Sequence, residues 1–358
     1  MISKRRNKIK SKRRSKINSK RRSKINSKRR SKRRLRIKSK IYIKRKLKSD
    51  NGDEEKGVDK VERVKGDDIF IKYKNFIRTD EIIGRGSFKT VYKGFDEEIG
   101  SEIAWSSINI AEIKTKKEKN NVIHEGQLLR KIFVNNEYIT PHIIKLLDCW
   151  YDKDKKEVVF ITPLYKDGTL CEYIKKNISF ITINHIKKWA RQILEGLVFL
   201  HYNDIIHRDL KLDNILIDSA TSNIYLTDFG LSTETPGIGS VGTLVYMAPE
   251  MFSFTIDEES GTSLDKEYDT SVDMYAFGIC LLEMLTNEEP YKEYDENIAL
   301  IFTSKEKDIF PLSLTKITDN RIRNVIKQLL SKNKNERPSA YDLYTSDIFS
   351  TEKEDTLY

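Results

Sequence analysis

The chain has 358 residues, 38% of them hydrophobic and 10% aromatic, which is enough to bury the core of two lobes or domains. Its formal charge of +12 averages two unlike regions: residues 1–48 hold 26 of the 66 Lys and Arg and no acid, leaving 40 basic against 54 acidic side chains, a charge of −14, in the remainder. Nucleic-acid binding by the whole chain is therefore excluded as a reading of its charge, and three scattered cysteines, Cys149, Cys171 and Cys280, exclude a disulfide framework.

In chain order, residues 3–34 repeat an eight-residue unit, "SKRRNKIK", "SKRRSKIN", "SKRRSKIN" and "SKRRSKRR". Each unit offers at most one Ile among four or more like charges, too little apolar surface to offset the entropy of folding, so residues 1–48 are expected to be a disordered basic tail. Three roles stay open for it: a solvated segment, electrostatic contact with a polyanion (nucleic acid or anionic lipid), or docking onto the acidic remainder of the chain. A polar, acid-rich linker spans 49–72. Residues 76–110 are rich in β-branched and aromatic side chains, with turn signals at Asp96 and Gly100, and predict three strands. A charged helix follows over 116–133, then strand-like pieces at 143–152 and 157–164. Beyond Gly168 helices dominate. Over 186–203, Ile186, Trp189, Ala190, Ile193, Leu194, Leu197 and Leu200 recur at helical spacing. The longest apolar run, 275–285, is broken by Glu283 and falls short of the ~20 residues that span a bilayer. The first residues lack the apolar core of a secretory signal. A cytoplasmic chain is expected, with access to the nucleus as an option for the basic tail.

The chemistry concentrates at "IIHRDLKLDNILI" (205–217), where an acid, a lysine two residues on and an asparagine five residues on share a short loop between apolar runs. Phosphoryl transfer uses those types: a carboxylate to orient the attacking hydroxyl, a cation for the transferring phosphate and an oxygen ligand for magnesium. Asp209 is the candidate base, Lys211 the phosphate stabiliser and Asn214 a metal ligand. Fourteen residues past Asn214, "DFG" supplies Asp228 as a second metal ligand, and "MAPE" (247–250) closes the intervening segment. This ordered set resembles the protein kinases over roughly residues 73–349. The resemblance implies an α+β bilobal fold: an N-terminal antiparallel five-stranded sheet with one helix (73–162), a hinge (163–166), a larger, mostly helical lobe (167–349) and a tail (350–358). It implies ATP and Mg2+ as cofactors and protein Ser/Thr hydroxyls as substrates. By the same resemblance, Asp273 braces the catalytic loop, Arg337 pairs with Glu250, and the His207 ring packs with Phe229.

The glycine-rich loop reads "GRGSFKTV" (84–91), with Gly84, Gly86, Ser87 and Phe88 as candidate phosphate-cradling residues. The strand that ordinarily carries the phosphate-binding lysine reads "IAWS", with Ser106 in that place, while Lys89 replaces a glycine of the loop. Alternation along a strand puts Lys89 on the face of Val91, and Ala104 on the face of Ser106, so Lys89 faces the cleft. Lys93, near the turn, is expected to be solvated. The relocated lysine and the run "GRGSFKTVYKG" resemble the with-no-lysine (WNK) serine/threonine kinases.

That likeness pairs Lys89 with Glu125 of the helix. It assigns Thr162 as gatekeeper and Leu164 as hinge, and places Val91, Ala104 and Leu216 about the nucleotide. Thr243 is expected to meet the catalytic loop. Ser240 is a candidate phosphosite, its phosphate ordering the segment against Arg208. One departure stands out: WNK kinases carry Leu where this chain has Phe229, beside a pocket in which chloride restrains the enzyme, so weak chloride control is expected. The loss of lysine at 106 also leaves an alternative, a pseudokinase scaffold that binds nucleotide or partners without turnover.

Overall fold

Strand pairing begins one strand earlier than the sequence pattern indicated. The computed structural model describes residues 71–85, 89–134, 142–235, 242–252, 254–256, 263–265 and 267–350, all within one compact unit, Asp59–Tyr358. The basic tail, most of the linker, Gly86, Ser87, Phe88 and Ser240 lie outside the described residues.

The first lobe is a six-stranded antiparallel sheet, not the expected five, built from β1 (Ile71–Tyr73), β2 (Phe76–Arg85), β3 (Lys89–Asp96), β4 (Ser101–Asn109), β5 (Asp148–Asp152) and β6 (Glu157–Pro163) in the order β1-β2-β3-β4-β6-β5. The extra strand forms because Lys74, at φ 53, turns the chain so that Tyr73 pairs with Phe76. The sheet then curls until its edges meet: the Tyr73 ring stacks on Trp150 of β5 at 3.8 Å, and Lys74 pairs with Asp148 at 2.8 Å. Three residues with little alternation carry no strand signal of their own; the contact that holds them is across the sheet.

The two faces of this sheet have different jobs. Ile103, Trp105 and Ile161 share one face with Phe76, Tyr73 and Trp150 and form a separate aromatic core. The other face packs on α1 (Lys116–Val134), where a Cβ on Gly126 would lie 3.3 Å from the Phe160 ring, so glycine lets helix and sheet approach. Helix α1 starts at a capping box, Thr115 Oγ1 accepting from the Glu118 N–H at 3.2 Å and the Glu118 carboxylate accepting from the Thr115 backbone N–H at 3.4 Å. Of the predicted strand 143–152, only 148–152 joins the sheet. The earlier part is claimed by the second lobe, the Ile144 N–H donating to Leu226 and the Leu226 N–H to His142.

The second lobe comprises α2 (Leu170–Asn177), α3 (Ile183–Tyr202), the strands β7 (Ile205–Ile206), β8 (Ile215–Asp218), β9 (Asn223–Leu226), β10 (Thr233–Glu234), β11 (Phe254–Ile256) and β12 (Ser263–Asp265), then α4 (Ser271–Thr286), α5 (Ile298–Glu306), α6 (Asn320–Leu329) and α7 (Ala340–Tyr344). The seven apolar positions read from the pattern of α3 are all buried. Helix α4 is apolar nearly all round and runs through the lobe's centre, as such a helix must. Near its start, Arg337 is wholly buried and grips Glu250 through two parallel hydrogen bonds of 2.6 and 2.8 Å. Among the described residues no helix is long and apolar enough to cross a membrane, and all three cysteines are free and buried.

Candidate active site

Four short pieces of backbone converge between the lobes, and a single buried acid fixes one of them. Asp273 of α4 accepts from the His207 N–H at 2.9 Å, the Arg208 N–H at 3.0 Å and the His201 ring at 2.8 Å. Burial by itself would raise its pKa, but these hydrogen bonds and the nearby imidazoles outweigh it and hold the carboxyl below its ordinary value. Arg208 can then sit at φ 69, a left-handed conformation costly for a residue with a Cβ, because its own amide and that of His207 are tied down. Its guanidinium is engaged by the Leu231 and Ser232 carbonyls and the Tyr268 hydroxyl.

The loop so anchored presents Asp209. The Asn214 amide nitrogen donates to both the Asp209 carbonyl and its Oδ2 at 2.8 Å. Both acceptors lack protons, so the nitrogen is the atom facing them and the amide oxygen remains for another partner. From the other side Thr243 gives its N–H (2.9 Å) and its hydroxyl (3.0 Å) to Asp209 Oδ1. Lys211 Nζ donates to the Thr243 hydroxyl at 2.7 Å and lies 3.3 Å from Asp209 Oδ2. Gly242 makes this contact possible. At φ 110 it passes so close to the loop that a Cβ would collide with the Arg208 carbonyl. A Gly242→Ala variant is expected to lose about tenfold or more in kcat, since each 1.4 kcal/mol lost at Thr243 costs that much, while its thermal midpoint stays near wild type. A wild-type kcat would show that the close approach is unnecessary.

Asp228 follows the β8–β9 hairpin, which α3 pins through Gln192: its amide donates to Asn223 at 2.8 Å and accepts from the Ile224 N–H at 3.1 Å. Asp228 adopts φ 64 and its side chain is exposed to the cleft. Phe229 beside it is fully buried, its ring 5.0 Å from that of His207.

On the upper wall, the β3–β4 register sets Lys89 opposite Ile108, Val91 opposite Ser106 and Lys93 opposite Ala104. Lys89, Val91, Ala104 and Ser106 therefore share one face, and Trp105 belongs to the other. Gly84 lies across from Val91, and Thr162 across from Ala104. Leu164 continues the chain out of β6, its N–H on the Glu102 carbonyl at 3.4 Å, and half-buried Leu216 lies on β8 below. Lys93 is held by Glu102 at 3.1 Å and Glu81 at 3.8 Å, where simple solvation was expected.

Glu125, one turn before buried Leu129 on α1, closes the site. The residue is half-buried, and the desolvation of its carboxyl raises its pKa. The charge of Lys89 draws it down, Asp228 pushes it up, and the Phe229 N–H, which it accepts, draws it down. One carboxylate thus senses the relocated lysine and the aspartate of "DFG" together, and a Cβ on Gly230 would lie 3.5 Å from Asp228 and 3.8 Å from Glu125. The residues left for a cation, the exposed Asp228 carboxylate and the Asn214 amide oxygen, are oxygens only. Two protein oxygens with the remaining positions open to water and phosphate suit a hard divalent ion.

Sequence reasoning passed over Gly242 and Lys305. The first is one of three glycines in a short segment, with nothing local to mark it. The second is a lysine on α5 that lies buried against the carbonyls of residues 244, 245 and 247.

A β-rich lobe hinged to a helical one, with Asp209, Lys211, Asn214 and Asp228 gathered at the seam, defines a phosphotransferase of the protein-kinase class. Residues 77–349 match the family described as protein kinase domain, and the chain belongs to that family, whose members use ATP and a divalent metal. It is WNK-like within it. Serine/threonine-protein kinase WNK3 of Mus musculus is 39% identical over 282 residues, covering 77% of this chain and 15% of that protein. WNK8 of Arabidopsis thaliana is 39% identical over 274 residues, 75% of this chain and 45% of that protein, and Wnk of Drosophila melanogaster 37% over 281, 76% and 11%. The chain thus spans less than half the length of each of these relatives.

Proposed function

We propose that this chain is an active ATP-dependent serine/threonine protein kinase of the WNK type, with Mg2+ held by Asn214 and Asp228 and with Lys89 as the cation on the nucleotide phosphates. The observation that carries the reading is Asp209 held on both oxygens by Asn214 and Thr243 with Lys211 beside it, and across the cleft Glu125 feels the charges of both Lys89 and Asp228. A cleft that has lost lysine at 106 still has a fixed cation at its phosphate end. Asp209, held on both oxygens, orients a substrate hydroxyl and receives its proton. Lys211, shared between Asp209 and Thr243, steadies charge on the transferring phosphoryl group. The metal supplies neutralisation of the phosphate oxygens when bound. Thr243 beside the base supports Ser and Thr over Tyr as acceptors, and three buried, free thiols support a reducing, intracellular setting.

Phosphate incorporation into a generic basic protein substrate with Mg-ATP tests this. Wild type is expected to transfer phosphate and Asp228→Ala to fall to background. If the two match, the enzyme reading gives way to the scaffold. Chloride control is expected to be weak, because the buried Phe229 ring packs against His207 beside Asp228. Replacing acetate by chloride at constant ionic strength should leave the rate unchanged, and strong inhibition at physiological chloride would overturn that reading of Phe229.

A further inference from the structure

Helix α5 carries a lysine where an apolar residue would be easier to bury. Lys305 is 2% exposed, and its ammonium donates to three main-chain carbonyls, those of Leu244 (3.0 Å), Val245 (2.7 Å) and Met247 (2.8 Å). Its three N–H bonds thus have one acceptor each. The ammonium also lies within 5.2 Å of the Tyr275 ring centroid, 5.6 Å of Tyr291 and 6.0 Å of Phe252, a cage of aromatic faces suited to a cation. Tyr275 and Tyr291 are themselves joined through their hydroxyls at 3.3 Å. Burial, with Arg337 adding repulsion, pushes the ammonium down to about 7, so the charge is held there at a cost.

The segment it grips is the continuation of Thr243, the residue on Asp209 and Lys211. Tyr246 in the same segment gives its hydroxyl to Glu283 of α4 at 2.5 Å. Every residue from 243 to 247 is therefore tethered: Thr243 to the catalytic loop, Tyr246 to α4, and the other three carbonyls to Lys305. The side chain left to solvent is Leu244, 38% exposed, directly after the threonine that meets the candidate base. A backbone so fixed is a preformed edge for a peptide laid past Asp209.

We propose that Lys305 is a positioning residue for the peptide substrate: by clamping the carbonyls of 244, 245 and 247 it fixes the strip that presents Leu244 beside the acceptor hydroxyl. The proposal rests on the kinase reading above and deepens it. Lys305 touches neither nucleotide nor reacting atoms, so its removal acts on peptide affinity before it acts on chemistry.

The test is steady-state kinetics of the full chain, wild type against Lys305→Met, with a generic basic peptide and Mg-ATP, alongside amide hydrogen exchange of residues 243–247. The peptide KM is expected to rise by about fivefold or more, with the ATP KM unchanged and kcat affected less. Preference for the residue next to the acceptor should flatten, and the amides of 243–247 should exchange about tenfold faster. A folded Lys305→Met with wild-type peptide KM and wild-type exchange overturns the proposal, as does a loss confined to kcat. Should that variant lack a cooperative melt, Lys305→Gln, too short to reach all three carbonyls, decides by the same two readouts. If wild type itself transfers no phosphate, the kinase reading falls, and exchange at 243–247 still judges the clamp.

Discussion

Lys89→Met is expected to lower kcat/KM for peptide phosphorylation by about 10²-fold or more, whereas Lys93→Met, two positions along the same face, is expected to leave it near wild type. Both side chains stand on the cleft side of β3, and both are lysines, so strand geometry alone does not choose between them. Their partners do. Lys93 is engaged by Glu102 and Glu81 at the far end of the strand, while Lys89 shares its field with Glu125 and Asp228. Removing Lys89 takes an attractive charge from a carboxyl that desolvation and Asp228 already push up, so Glu125 is driven further toward its protonated form. The variant therefore loses the phosphate cation and weakens the acid that orders α1 against "DFG". Measured kcat/KM for both variants checks this. Full activity in Lys89→Met would return the phosphate site to another residue.

The second large effect is at the base. Asp209→Asn nearly preserves volume but replaces one acceptor oxygen by a donor. The donors around it are fixed: the Thr243 N–H and hydroxyl on Oδ1, the Asn214 amide and Lys211 on Oδ2. Whichever way the new amide turns, its NH2 faces at least one of them. The expected result is a fall in kcat of about 10²–10⁴-fold, with the ATP KM close to wild type because the groups about the phosphates are untouched. A raised ATP KM with kcat retained would mean that Asp209 serves nucleotide binding, and the assignment of the base would fail.

The legibility of these residues in the sequence differed by the range of the interaction that places them. Asp209, Lys211 and Asn214 lie within six residues of one another, and a short loop between two apolar runs keeps them together in any fold. The side of the strand on which Lys89 lies follows from a period of two, a purely local rule. The buried stripe of α3 follows in the same way from a period of 3.6. Where the partner is distant the pattern fails. Ile71–Tyr73 forms a strand because Tyr73 meets Trp150 across a curled sheet, and Ile143 and Ile144 leave the sheet because Leu226 bridges them and takes the Ile144 amide.

Helix α5 shows the limit most sharply. By composition its Ile298 and Leu300 belong inside and its lysine outside, yet Ile298 is 54% exposed and Lys305 is buried. Local periodicity scores a lysine as polar and ends there, whereas three carbonyls and two tyrosine rings drawn from separate stretches of chain make a site for its charge. The sequence by itself determined the class of chemistry, the candidate acids and the strand face of Lys89, because each depends on neighbours within a loop or a strand. Only the tertiary structure decided that Glu125 comes within the fields of both Lys89 and Asp228, that Gly242 must pass against Arg208, and that Lys305 holds the segment after Thr243. Those depend on which unpaired main-chain and charged groups the fold brings within reach of one another, and no local period encodes that.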